Sequence, residues 1–192
     1  MSHVPPNKLS GLLRRLALRL AAPLGALASL STIAIMVAVT VDVVSRNVAG
    51  RSVPGLLEMS ESALVATVFL GLAYTGATNA HVAVDLMTDK LPLPVARRLA
   101  GTVWLAVSAM VVWFIYASFE RASASTAASE VTHGLMEWPV WPSRWLLVVG
   151  FVAFLMISLV NTYLSFRNEP LLGEAEDFRE DDELSTREEA GS

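Results

Sequence analysis

The chain contains no cysteine in 192 residues, which excludes disulfides, thiol nucleophiles and cysteine-bound metals. It also lacks a Gly-rich phosphate loop, a His-Glu-x-x-His helix, a Gly-x-Ser-x-Gly turn and a basic surface interleaved with aromatics. Nucleotide-binding, metalloprotease, serine-hydrolase and nucleic-acid readings therefore have no residues to rest on. The absence with most consequence is that of charge. Four runs of about twenty residues are free of it: Ala21–Val41, Ser62–Asp85 less its polar end after Tyr74, Leu99–Phe119 and Trp145–Phe166. A helix rises about 1.5 Å per residue, so such a run crosses the roughly 30 Å hydrocarbon core of a bilayer. The pattern predicts an all-α membrane protein with four transmembrane helices.

What is present agrees with this. The chain is 54% hydrophobic, with a mean hydropathy of +0.52. Its net charge of −4 is unevenly placed. From Glu169 to Ser192 there are ten acids and two arginines, and the rest holds eight acids and twelve bases. The acidic end has too little apolar surface to offset its ordering entropy, so residues 168–192 read as a disordered, solvated tail. Residues 1–20 read as an arm. Leu9, Leu12, Leu13, Leu16 and Leu20 follow helical spacing, and Arg14, Arg15 and Arg19 fall mainly on the other side. That is an amphipathic helix suited to an anionic membrane surface, with Pro23 suited to start the next helix. The apolar run continues well past the small-residue stretch Ala26-Leu27-Ala28. Span one is thus expected to be a retained anchor within a 21–167 membrane domain, not a cleaved signal.

Orientation follows the basic residues of short loops. With the N-terminus inside, the inner segments hold ten: Lys8, Arg14, Arg15, Arg19, Lys90, Arg97, Arg98, Arg167, Arg179 and Arg187. The outer loops hold four: Arg46, Arg51, Arg121 and Arg144. Both termini are expected in the cytoplasm of a bacterial inner membrane. The stretch from His81 to Pro92 alternates apolar and charged residues and is expected to form an interfacial helix between spans two and three. Trp138, Trp141 and Trp145 mark the headgroup level before span four. Pro139 and Pro142 are expected to delay that helix until about Ser143.

Few side-chain sets bear on chemistry. Asp42 and Arg46 stand i, i+4 at the end of span one, acid first, which is the favourable order for a helix ion pair. Their placement at the interface favours a structural pair over a functional one. Glu58 and Glu61, at i, i+3 near the start of span two, suit the helix dipole, and no nucleophile or third ligand accompanies them. His81 and Asp85 stand i, i+4, too few for a metal, and a hydrogen bond that folds the inner loop is the better reading. No cofactor, metal or catalytic residue follows. Within the spans the polar groups are hydroxyls and Asn161, which leaves a pump or channel without its usual intramembrane charges. The residues read as a subunit without an active site of its own.

One ordered set is more specific. Asp42-Val43-Val44-Ser45-Arg46, Gly50-Arg51-Ser52-Val53-Pro54, Glu58, Phe69-Leu70-Gly71, His81-Val82-Ala83-Val84-Asp85 and Leu91-Pro92 occur in that order over a four-span frame. With the Trp-Pro-x-Trp approach to span four, this resembles the small membrane subunit (DctQ type) of tripartite ATP-independent periplasmic transporters, over about residues 20–166. Two features depart from the family pattern: Thr78-Asn79-Ala80 stands where members often carry arginine, and span two has no Trp. The resemblance implies a non-catalytic scaffold subunit of a sodium-coupled, binding-protein-dependent importer of an organic acid. Its implied partners are a large transmembrane permease subunit, a periplasmic substrate-binding protein and membrane lipids, with no nucleic acid. It makes Asp42, Arg46, Glu58, His81 and Asp85 candidates for subunit packing and loop structure. The rival readings are a self-sufficient homo-oligomeric carrier or channel, and a membrane enzyme using Glu58/Glu61 or His81/Asp85. The proposed topology puts those two pairs on opposite sides of the membrane, which disfavours the enzyme.

Overall fold

A computed structural model describes residues 8–78, 93–132, 137–167, 169 and 171–172. They form four helices: α1 (Lys8–Ala49), α2 (Leu56–Ala77), α3 (Leu93–Ala127) and α4 (Trp141–Phe166). All four are long and apolar enough to cross a membrane. Among the described residues the sole β pairing is an isolated bridge, Val131 to Pro139. The outside of the helices is apolar: Leu30, Ile33, Met36, Trp113 and Tyr116 are all more than half exposed. Water penalises such a surface and lipid does not. The chain is an all-α membrane protein with four spans.

The interfacial helix expected over residues 81–93 falls almost wholly outside the described residues. At the N-terminal stretch the helix start differs from expectation. Pro23 does not begin a helix; it lies inside α1, which runs unbroken from Lys8 to Ala49. Proline removes one backbone donor, and a membrane helix carries that loss where flanking turns and neighbours hold it. Ser10, Ala17 and Ala21 are buried, whereas Leu12, Leu16 and Leu20 are exposed. Small residues face protein here, and the leucine edge faces out. At the other end, α4 begins at Trp141. Pro142 is accommodated in its first turn, where no intrahelical donor is needed.

The chain divides into two compact units, the described parts of Leu20–Tyr74 with Met110–Leu155, and of Met1–Arg19, Thr75–Ala109 and Met156–Ser192. In the first, α1 and α2 run antiparallel on small residues. Thr67 donates to the Ala28 carbonyl at 3.5 Å, and a side-chain carbon on Gly71 would stand 3.7 Å from Ala28. Close approach of backbones over small residues is how helices associate in lipid. Helix α4 meets α2 more tightly still. A side-chain carbon on Gly150 would fall 2.6 Å from the Phe69 carbonyl oxygen, so glycine is required there. Phe151 packs its ring on Phe69 at 5.0 Å and on Phe114 of α3 at 5.6 Å.

In the second unit, polar side chains cross-link helices around buried Ile157 and Leu164. The Ser108 and Ser158 hydroxyls share a 2.7 Å hydrogen bond between α3 and α4. Asn161 donates to the Gly76 carbonyl of α2 at 3.2 Å. Its side-chain oxygen accepts from the Leu172 amide at 3.1 Å, eleven residues on. Leu172 is 1% exposed, so the chain just after α4 folds back onto the helix ends.

Candidate functional site

Two ion pairs near helix ends lock loops. Gly50 ends α1 with a positive φ of 68°, its amide bonded to the Arg46 carbonyl at 3.1 Å. Pro54 and Gly55 (φ 86°) then turn the chain into α2, with glycine at the position of the turn that needs a positive φ. Asp42 closes this loop from inside α1. It pairs with Arg46 at 2.8 Å, accepts the Ser52 hydroxyl and accepts the Val53 amide at 3.2 Å. Arg46 also donates to Ser52 at 3.4 Å, and Ser45 donates to the Arg51 carbonyl at 2.9 Å. The two segments Asp42–Arg46 and Arg51–Val53 thus form one knot. Spacing along a helix reveals the Asp42–Arg46 pair; it does not reveal Ser52, which joins across a turn.

Glu58 lies in the first turn of α2 and is 7% exposed. It makes no ion pair or hydrogen bond with a described residue. Glu61, one turn on, is exposed, so the two carboxyls do not face a common site. His81 and Asp85 lie outside the described residues.

A second lock ties α3 to α4. Ser129 takes φ 47° after the end of α3, and the Glu130 amide reaches back to the Ser125 carbonyl at 3.1 Å. The Val140 amide bonds the Glu130 carbonyl at 3.0 Å, and the Thr132 amide bonds the Trp138 carbonyl at 2.9 Å. Arg144 pairs with Glu130 through two nitrogens, at 2.8 Å and 3.0 Å. Two parallel contacts make this a fork geometry, more specific than a single ion pair. Sequence reading missed this pair because its partners lie in different elements.

The tryptophans have separate roles. Trp145 donates its indole N–H to Thr126 at 3.0 Å and stands edge-on to Phe119 at 5.6 Å. Trp141 is 43% exposed, while Trp138 is half-buried and engaged through its backbone. Half-wet, half-apolar settings of this kind are those of interfacial aromatics. Among the described residues no group of three or more His, Asp or Glu stands close enough to hold a metal. The buried polar groups Ser108, Ser158, Thr162 and Asn161 are engaged in internal hydrogen bonds.

No curated protein and no solved structure matches the chain. The family model of the DctQ component of tripartite ATP-independent periplasmic transporters matches residues 35–168, a stretch that runs from α1 through all of α2, α3 and α4. The match covers well over half of the 192 residues, and the chain therefore belongs to the DctQ family of small permease subunits, a transporter family and not an enzyme family.

Proposed function

We propose that this subunit is a fixed, non-catalytic scaffold in a sodium-coupled importer of an organic acid. A large permease subunit moves the substrate, and a periplasmic binding protein delivers it. The subunit lies in the bacterial inner membrane with both termini in the cytoplasm and residues 168–192 as an acidic tail. One observation carries this reading. Charged pairs lie at the loop-side ends of helices, Asp42 with Arg46 and Glu130 with Arg144. Between the spans, Ser108 bonds Ser158 and Asn161 bonds the Gly76 carbonyl. Asp42, Arg46 and Glu58, with His81 and Asp85 beyond the described residues, are structural or subunit-packing groups. Trp138, Trp141 and Trp145 set the depth of the loop-side ends.

The test is affinity purification of the chain from its native membrane in mild detergent, with partners identified by mass spectrometry. A large polytopic protein in equal amount is the expected result, and reconstitution of the chain alone gives no solute flux. A stable homo-oligomer that moves solute by itself overturns the scaffold reading in favour of a self-sufficient carrier.

A further inference from the structure

A cleft of about 320 Å³ lies between α3 and α4. Its α3 wall is Phe114, Ala117, Ser118 and Arg121, one face of the helix, and its α4 wall is Arg144 and Leu147. The wall is apolar at Phe114, Ala117 and Leu147 and basic at the Arg121 end. Seven residues of helix separate Phe114 from Arg121, a rise of about 10 Å. The charge-free run of α3 stops at Phe119, and Phe119 packs against the interfacial Trp145. The basic end therefore sits where hydrocarbon gives way to headgroups.

The two guanidiniums differ. Arg144 is engaged by both carboxylate oxygens of Glu130 and also donates to the Arg121 carbonyl at 3.3 Å. The Arg121 side chain makes no ion pair or hydrogen bond with any described residue. A cation without a partner among the described residues, at the mouth of an apolar cleft and at headgroup depth, complements an amphiphile with an anionic head and an acyl tail. A zwitterionic head brings its own cation and gains less.

We propose that this cleft binds an anionic phospholipid, its phosphate on Arg121 and an acyl chain against Phe114, Ala117 and Leu147. The inference rests on the membrane placement of the four helices and not on which side of the membrane the cleft faces.

The experiment is native mass spectrometry of the full chain in mild detergent. Phosphatidylglycerol and phosphatidylcholine with identical acyl chains are offered at equal concentration. The unaltered protein is expected to retain phosphatidylglycerol in preference. Arg121→Gln lowers that retention about fivefold, the factor expected for one basic group at an anionic membrane surface. Ala117→Phe, which fills the cleft and leaves charge unchanged, lowers it as well. Arg51→Gln removes a cation from the α1–α2 loop and leaves retention unchanged. Equal loss in Arg121→Gln and Arg51→Gln means diffuse attraction and overturns the proposal. Full retention in Ala117→Phe overturns it too, since a head held without its chain is what free phosphate would show. Arg121→Lys, which keeps the charge, is expected to keep the preference. If Arg121→Gln retains the lipid but loosens a co-purified large subunit, the cleft is a protein contact. That result refutes the lipid site and leaves the scaffold reading standing.

Discussion

Asp42 holds a loop by accepting from groups that are far from it in sequence. The Ser52 hydroxyl and the Val53 amide both end on its carboxylate, and Arg46 completes the set. An amide whose acceptor is deleted turns to water, so Asp42→Ala is expected to speed hydrogen exchange at Val53 while leaving exchange in the helix cores unchanged. Site-resolved hydrogen–deuterium exchange measures this, and an unaltered Val53 would mean the loop is held by its backbone turn alone. The sequence makes half of this knot legible, because Asp42 and Arg46 share a helix face at fixed spacing. Ser52 is not legible, because a turn of unknown shape intervenes. The Arg144–Glu130 fork escapes for the same reason: no periodicity links a helix residue to one in a preceding loop.

Glycines decide how closely the helices approach. On α4, a side-chain carbon at Gly150 would stand 2.6 Å from the Phe69 carbonyl oxygen and 2.8 Å from its carbonyl carbon. Backbone atoms do not swing aside, so Gly150→Ala forces α2 and α4 apart at a loss of roughly 1–3 kcal/mol. On α2, the same substitution at Gly71 meets Ala28 at 3.7 Å, an ordinary contact, and is expected to be tolerated. Thermal unfolding followed by intrinsic tryptophan fluorescence reports both, with the Gly150 variant melting lower and the Gly71 variant near the parent. Equal melting of the two would remove Gly150 from its role. The existence of four spans was legible from the charge-free runs, since length and apolarity alone determine what crosses lipid. Their ends were less so. Pro23 signals a helix start and is overridden by the apolar helix on both sides of it, and Pro142 is absorbed into the first turn of α4. The polar contacts that join helices, such as Asn161 to Gly76, join residues too far apart in sequence for any local pattern to reveal.

The 192 residues lack cysteine, so a single introduced thiol is a unique label for the orientation of this chain. Ala128→Cys lies in the α3–α4 loop and Glu189→Cys in the acidic tail. A membrane-impermeant maleimide is expected to label the first in intact spheroplasts and the second only after permeabilisation. The reverse pattern would invert the proposed topology. Burial is also unequal among the helices: in an apolar 18-residue stretch of each, 44% of α4 is buried, against 17%, 22% and 28% of α1, α2 and α3. Helix α4 supplies Ser143 to Ser62, Gly150 to Phe69, Ser158 to Ser108 and Asn161 to Gly76. It is also the last of the four to be made. The ribosome must add 85 residues after Gly76 before Asn161 exists, about 4–17 s at roughly 5–20 residues per second. For that interval the α1–α2 pair and α3 wait in the membrane without these contacts from α4. A nascent chain stalled before Trp141 is therefore an incomplete set of spans, exposed to whatever surveys the membrane for unfinished proteins.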